Sequence, residues 1–509
     1  MEKPFNIVSL FLDTAEKYPG KTAIIDRDGK SVTFAELAGG VRRAAAHFER
    51  KGIRKGDRVL LFVPMSIALY RHVLALFHIG AVVVFVDQWS NIRRLDTCCR
   101  LAGCHAFAGS RKAHLLRLFS KGIRRIPIKL GLSFATDRTA AVCPTTPADA
   151  ALITFTTGST GTPKAALRTH GFLYEQFKAL ETEIDARPSD VDMAVLPIVL
   201  LINLAVGSTS VIADFNPSKP GRMQPHRIAE QLATHRVTRL AASPYFVKRL
   251  AMHIEDSGRA LPSLHRLFTG GAPVFAKEAA LYRRAFPDKE VRILYGSTEA
   301  EPISSIDAAG LTAVPHRGFD PMQGLPVGHI APPAAVRIIP ITAKPLFDLS
   351  AEAFEKMQLP DGQWGEIVVS GPHVLTQYYK NEEALHASKI RVNGTYWHRT
   401  GDSGYLQDDR LFLTGRCHTL IPQGDGWLST FVFENYVQSL PEVEMGTIMS
   451  GSTGITAFIE LAEDSAGARD HIRAVLRQLP VAISQVKFQR LPRDPRHHSK
   501  IEYGKLTAD

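Results

Sequence analysis

Cysteine is scarce: five among 509 residues, at Cys98, Cys99, Cys104, Cys143 and Cys417. The number is odd and no two stand at C-x-x-C spacing. That excludes a disulfide framework and a zinc ribbon, and points to a reducing compartment. Long uncharged apolar runs are missing too. Val59 to Val86 is interrupted by Arg71, His72 and His78, and Val191 to Asp214 carries Pro197, Asn203 and an acid at each end. Both read as buried strand or helix segments rather than membrane spans. Residues 1–19 lack a basic stretch followed by an apolar run and a small-residue cleavage site. They read as an amphipathic helix, and a cytoplasmic location is the default expectation. Neither G-x-G-x-x-G nor a Walker A loop occurs, so a dinucleotide fold and a P-loop are unsupported. No fixed-period repeat and no helix-turn-helix, RRM or KH signature is present, so nucleic acid is not an expected partner.

What is there is ordinary in composition: 45% hydrophobic and 22% charged. Disorder and low-complexity assembly are thereby excluded. The length suits several structural units, at about 150 residues each. Lys and Arg number 61 against 50 Asp and Glu, a formal charge of +11. Much of the excess lies in the window 111–129, where Arg111, Lys112, Arg117, Lys121, Arg124, Arg125 and Lys129 stand without an acid among them. Leu115, Leu116, Leu118 and Phe119 are interleaved. Two expectations stand for this window: a solvated helix face, or a patch for an acidic partner such as a phospholipid surface or an acidic carrier protein.

Short β-branched runs alternate with longer helical stretches. Strand-like runs fall at 22–25, 58–63, 82–86, 152–155 and 366–370, and a helix is expected over 34–46. This alternation predicts an α/β chain of layered parallel sheets with helices. Gln423 to Gly426 reads as a linker or turn, and about eighty residues follow it with a helix, strand, helix, strand pattern. They are enough for a small C-terminal α+β domain.

The sharpest local feature runs from Ala151 to Lys164. A buried-type strand enters a loop containing Thr156, Thr157, Gly158, Ser159, Thr160 and Gly161, closed by Pro163 and Lys164. Glycines admit a ligand close to the backbone, hydroxyls and N–H groups donate to phosphate oxygens, and the lysine adds a point charge. The chain supplies its own control. Gly-Ser-Thr-Gly recurs at 451–454 without a following lysine, where it reads as a plain hairpin or loop. The tetrapeptide alone is therefore weak; strand, hydroxyl-rich loop, Pro163 and Lys164 together suit a polyphosphate.

Further motifs follow in order. They are Thr269-Gly270-Gly271-Ala272-Pro273, Tyr295-Gly296-Ser297-Thr298-Glu299, Trp397 with Arg399-Thr400-Gly401-Asp402, Gly415-Arg416, and Ser499-Lys500-Ile501 near the end. Tyr295 offers a flat face for a base, or is a core tyrosine. Glu299 is a hard oxygen ligand suited to magnesium. Asp402 can accept from both ribose hydroxyls, or is a turn aspartate. Arg416 presents a fork of donors for ribose or phosphate. With the phosphate loop, this set resembles the adenylate-forming (ANL) superfamily of acyl-CoA synthetases, peptide-synthetase adenylation domains and luciferases.

The resemblance spans nearly the whole chain. It implies a large N-terminal ATP- and acyl-binding domain, residues 1–416, and a mobile C-terminal lid, residues 417–509, that carries the catalytic lysine. It implies that Thr156 to Gly161 and Lys164 bind the phosphates, and that Gly270 to Pro273 and Tyr295 to Thr298 bind the nucleotide. It further implies that Asp402 and Arg416 bind ribose, that Glu299 holds Mg2+, and that Thr298, Glu299 and Lys500 serve catalysis. Lys505 is a nearby decoy. The implied reaction is attack of a carboxylate on the α-phosphorus of MgATP, giving acyl-AMP and pyrophosphate.

Departures from the common pattern narrow the branch. Residues 196–211 are apolar and lack the histidine that gates many acyl pockets of the family, so Leu200, Leu201 and Phe246 are either pocket or core. The hinge position is His418, and the loop after it lacks a Gly-x-Arg-Ile CoA-contacting pattern. These features, with 111–117, 211–220, 336–342, 425–430 and 494–501, look like the olefin-pathway β-lactone synthetases. Three readings stand: an adenylating enzyme for a fatty or 3-hydroxy fatty acid that closes a β-lactone, an acyl-CoA or acyl-carrier-protein ligase, and a degenerate ATP-binding regulatory protein.

Overall fold

The computed structural model describes residues 4–87, 91–134, 136–157, 163–313, 318–424, 426–494 and 500–507. Helix Val8–Lys17 buries Phe11, Leu12 and Ala15, as an amphipathic opening requires. Helix Phe34–Arg50 starts at a reciprocal cap: the Glu36 N–H donates to Thr33 Oγ1 at 3.2 Å, and the Thr33 N–H donates to Glu36 Oε2 at 2.8 Å. The two apolar stretches of the sequence are buried interior. The first forms strand Arg58–Phe62, helix Ile67–His78 and strand Val82–Val84; the second forms strand Val191–Ala194, helix Pro197–Val206 and strand Thr209–Ile212. No helix among the described residues is long and apolar enough to cross a membrane.

Two sheets dominate. A six-stranded sheet runs Ile128–Leu130, Ala106–Gly109, Arg58–Phe62, Val82–Val84, Ala150–Thr157, Pro163–Thr169; it is parallel except for its last, antiparallel pair. A larger sheet of fourteen described strands is parallel from Thr22–Ile25 through Thr209–Ile212, Val191–Ala194, Arg239–Ala242 and Arg266–Gly270 to Glu290–Ser297. From Ala300–Asp307 onward it is antiparallel. The expected parallel layering therefore covers the first half of that sheet. The second half departs from it because tight turns join its strands. Asn393 and Gly394 both have positive φ, 49° and 80°, as do Asp408 and Asp409, 50° and 57°. Two left-handed residues in succession turn a strand back on its neighbour.

The parallel half is locked by charge as well as by apolar packing. Arg239, fully buried, donates from Nε to Asp192 Oδ2 at 2.6 Å and from Nη1 to Asp190 Oδ2 at 3.1 Å. Its remaining nitrogen donates to Asn203 Oδ1, and Asn203 Nδ2 donates to Asp192 Oδ1 at 3.0 Å.

A smaller domain ends the chain. Helix Thr430–Ser439, strands Val443–Gly451, Gly454–Leu461 and Ile483–Phe488, and helix Ala466–Arg477 close on Phe433, Val437, Ile448, Ile459, Ile472 and Leu476. It has one strand more than the sequence pattern suggests, because residues 451–454 are the hairpin turn between the first two. Gln423 likewise pairs with Gly426, the end of a short antiparallel strand pair, Ile421–Gln423 with Gly426–Leu428.

Candidate active site

The polyphosphate-type loop joins an antiparallel hairpin. Thr156 pairs with Lys164 and Thr157 with Pro163, while Gly158, Ser159, Thr160 and Gly161 lie outside the described residues. On the returning strand, Lys164 directs its ammonium over the Tyr378 ring, 5.9 Å from the centroid. Arg168, buried on the same strand, donates to Thr154 Oγ1 and, from Nη2, to the Thr298 carbonyl at 3.0 Å. This hairpin is thereby tied to the turn that carries Thr298 and Glu299.

That turn lies between Ser297 and Ala300, which pair across strands Glu290–Ser297 and Ala300–Asp307. Gly296 is required beside it, since a Cβ there would stand 2.9 Å from the Ala300 carbonyl oxygen. Glu299 is fixed by its backbone: its N–H donates to Ser297 Oγ at 3.3 Å and its carbonyl accepts from Leu375 N at 2.7 Å. Its carboxylate accepts from Tyr378 Oη at 3.2 Å, and Ser388 Oγ donates to Tyr378 Oη at 3.3 Å. Burial first, and the Glu299 charge second, raise the Tyr378 phenol above its ordinary value, so it stays a donor.

A second cluster forms around Asp402. Tyr295 Oη donates to Asp402 Oδ2 at 2.8 Å, and Arg416 Nε lies 3.0 Å from Oδ1. Arg416 also donates to the Thr400 carbonyl, and the Asp402 N–H donates to Thr400 Oγ1. Burial and the neighbouring carboxylate hold the Tyr295 phenol well above its usual range. Asp402 is thus oriented by two donors, and each of its oxygens keeps a lone pair for a further one.

Gly270 and Gly271 end the parallel strand beside Tyr295, with Ala272 and Pro273 half-buried after them. A Cβ on Gly270 would lie 2.6 Å from the Leu294 carbonyl, and Gly271 has φ of 84°. The motif stands at the carboxyl end of parallel strands, where open α/β sheets bind ligands.

Lys500 sits in the C-terminal domain. Its N–H donates to Asp494 Oδ1 at 2.9 Å and its carbonyl accepts from Asp494 N at 2.9 Å. Lys505, the neighbouring lysine, pairs with Glu502. Trp397 packs on Phe354 in a small apolar cluster of its own. Leu200 and Phe246 are fully buried in two different core clusters, and Leu201 is half-buried against the first.

Sequence reasoning missed the groups clustered around Lys164 and Glu299: Arg168, Tyr378, Ser388, Lys389 and His398. Lys389 is the clearest case. Strict alternation along Lys389–Val392 puts it on the same side as Arg391, which is exposed; yet Lys389 is fully buried. Its Nζ stands 6.0 Å from the Tyr378 ring centroid. Burial pushes its ammonium down to about 7, against the pull of Glu299 and with a push from Lys164. His398, opposite it in the strand pair, is held well below its usual value by burial and by Lys389.

Among the described residues no three His, Cys, Asp or Glu side chains could share a metal ion. A single anchored carboxylate, Glu299, on a turn that Arg168 ties to the strand carrying Lys164, nevertheless fits Mg2+, which binds through one or two carboxylates plus substrate phosphates and water.

Comparison with known proteins agrees with this geometry. The AMP-binding enzyme family matches residues 11–379. The chain is 30% identical to an olefin beta-lactone synthetase of Stenotrophomonas maltophilia (strain K279a), over 100% of this chain and 98% of the relative. It is 27% identical to a feruloyl-CoA synthase of an Amycolatopsis species, over 84% and 82%. Among solved structures, the amide bond synthetase of Marinactinospora thermotolerans superposes with TM-score 0.81 at 21% identity, covering 98% of both chains. The o-succinylbenzoate coenzyme A synthetase of Bacillus subtilis, bound to ATP and magnesium, gives 0.80 at 20% identity, over 99% and 100%. The chain belongs to the family of AMP-binding, adenylate-forming enzymes, ATP-dependent ligases and synthetases of the ANL superfamily.

Proposed function

We propose that this enzyme adenylates a 3-hydroxy fatty acid and closes the product to a β-lactone. Similarity to two olefin beta-lactone synthetases, each 30% identical, over 100% and 94% of this chain, carries the specific reading. The Tyr295–Asp402–Arg416 cluster, and Tyr378 between the Lys164 ammonium and the Glu299 carboxylate, support the adenylation half.

In the first step a carboxylate oxygen attacks the α-phosphorus; the bond to the β-phosphate oxygen breaks and pyrophosphate leaves. Asp402 and Arg416 bind the ribose, Tyr295 lies against the base with Gly270 to Pro273, and Thr298 donates to the α-phosphate. Lys164 and the loop from Thr156 to Gly161 bind the outer phosphates. Glu299 would hold Mg2+, which neutralises phosphate charge when bound. Lys500 supplies a positive charge where the carboxylate meets the α-phosphate, a contribution worth about two to three orders of magnitude in rate at such a point. In the second step the 3-hydroxyl oxygen attacks the acyl carbon, AMP departs and the hydroxyl proton is lost.

We place the domain boundary between Arg416 and Cys417 and the hinge at His418. Strand Arg410–Arg416 ends there, and the single 3-10 turn Cys417–Thr419, containing His418, leads into the smaller domain. Five free thiols support a reducing, cytoplasmic setting. The window 111–129 folds into short helices that leave Leu115, Leu118 and Phe119 59%, 68% and 68% exposed. Arg111, Lys112, Arg117, Lys121, Arg124 and Arg125 are exposed around them, with no ion pair among the described residues. Protruding apolar groups inside a cationic ring favour an anionic lipid surface over a carrier protein.

The test is pyrophosphate release from MgATP without any thiol, with medium- and long-chain acids and their 3-hydroxy forms. Sustained turnover only with the 3-hydroxy acids is expected. Turnover restored only by CoA or a carrier protein would make the enzyme a thioester ligase, the reading favoured by its similarity to the feruloyl-CoA synthase. No release with any acid would refute adenylation of fatty acids altogether.

A further inference from the structure

The protein buries two kinds of cation. Arg239 meets two carboxylates and an amide oxygen, whereas the Lys389 Nζ has no hydrogen-bond partner among the described residues. An ammonium has three donors and no acceptor, and leaving them unmet in the interior is costly.

The surroundings of Lys389 say what would meet them. The Tyr378 ring has the Lys164 ammonium 5.9 Å from its centroid and the Lys389 ammonium 6.0 Å from it. Both lysines therefore flank one side chain, and that side chain's hydroxyl bonds the Glu299 carboxylate. Glu299 already takes its hydrogen bond from Tyr378, and Lys389 does not bond it. His398, the cross-strand neighbour, commits its Nδ1 to the Ser388 carbonyl at 3.2 Å. Two like charges and a carboxylate held this close form a receptor for a group of higher negative charge than one carboxylate.

We propose that Lys389 is a second cation of the polyphosphate site and binds the pyrophosphate portion of ATP together with Lys164. This rests on the nucleotide reading given above and adds to it a binding residue outside every motif of the sequence. The nucleoside end belongs to Tyr295, Asp402 and Arg416, none of which bonds Lys389. Lys389 accordingly discriminates ATP and pyrophosphate from AMP.

The test is calorimetric titration of wild type, Lys389→Met and Lys389→Gln with MgATP, magnesium pyrophosphate and AMP, together with melting of the ligand-free proteins. Methionine fills the same buried space without charge, so the ligand-free melting temperature is expected to hold or rise. Affinity for MgATP and for pyrophosphate is expected to fall about 10- to 100-fold, the range of a lost charge-assisted hydrogen bond. Affinity for AMP is expected to stay within about twofold, a selectivity that a packing role would not produce. Unchanged MgATP and pyrophosphate binding would overturn the proposal, as would equal losses for AMP or a collapsed melting temperature in both variants. A wild type that binds neither nucleotide would overturn the nucleotide reading itself, a different result from any of these.

Discussion

Glu434 ties the pH dependence of the C-terminal domain to the anchoring of its last segment. It lies on helix Thr430–Ser439, 6% exposed, and accepts from Thr447 Oγ1 at 2.7 Å and from Tyr503 Oη. Tyr503 follows Lys500 by three residues, so this carboxyl helps to fix the stretch that carries the lysine. Burial pushes the acid up from 4.5 to about 7, and the two hydroxyl bonds pull in the opposite direction without cancelling it. The unfolded chain loses this proton near pH 4.5, while the folded chain keeps it until about pH 7. Over that interval the folded state binds more protons, so stability falls as pH rises and levels off above about 7. At about 1.4 kcal/mol per pH unit the loss comes to about 3 kcal/mol.

Glu434→Gln removes the titration and keeps an oxygen that accepts from both hydroxyls. The variant is expected to be more stable than wild type by about 3 kcal/mol at pH 8, with most of the difference gone at pH 5. Hydrogen exchange of the amides in strands Val443–Gly451 and Gly454–Leu461, corrected for intrinsic rates, measures this. Taking the difference between the two proteins cancels every other titrating group. The same difference at both pH values, or a wild type that gains stability relative to the variant as pH rises, would refute the reasoning.

Other perturbations follow from the geometry. Arg239→Met leaves Asp192 buried without its cation, while Asp190 keeps Arg266, and is expected to cost about 3–5 kcal/mol in thermal unfolding. Asp402→Ala removes the acceptor shared by Tyr295 and Arg416 and is expected to weaken AMP about 10- to 100-fold by calorimetry, leaving the melting temperature within a few degrees. The double reversal Arg117→Glu, Arg124→Glu is expected to reduce co-sedimentation with phosphatidylserine vesicles about 30-fold at low salt, at about 1 kcal/mol per cation removed, with turnover of dissolved acid unchanged. Equal binding by both proteins would remove the lipid surface as partner, and retention of an acidic carrier protein alone would replace it.

Much of the fold was legible where local pattern and tertiary environment agree. The helix expected over 34–46 is Phe34–Arg50; the runs at 22–25, 152–155 and 366–370 lie in strands Thr22–Ile25, Ala150–Thr157 and Gly365–Ser370, and those at 58–63 and 82–86 overrun strands Arg58–Phe62 and Val82–Val84 by one and two residues. The Gly-Ser-Thr-Gly repeat at 451–454 is the hairpin turn its missing lysine suggested. The antiparallel half was less legible, because runs of β-branched residues say nothing about direction. Its directional signal lies in the turns, and Asn393-Gly394 was the one visible in sequence. Of the site, Tyr295, Asp402 and Arg416 come together as motif order implied, whereas Arg168 and Lys389 follow no local rule. Each is a charged residue within a strand, where alternation predicts a solvated side chain and only tertiary contact decides otherwise.

The two buried cations show why that last class of residue carries information about function. A charge inside a protein is tolerated when its partners are built in, and Arg239 has them all: Asp190 just before strand Val191–Ala194, Asp192 on that strand and Asn203 on helix Pro197–Val206. Removing its charge should therefore destabilise the protein. Lys389 lies equally deep, yet its nearest charged groups are Glu299, already bonded to Tyr378, and Lys164, which repels it. Removing that charge should relieve the ligand-free protein and harm only the complex with a polyanion. Opposite signs of stability change for two lysine- or arginine-to-methionine substitutions, at equal burial in one chain, separate a cation kept for the fold from one kept for a ligand.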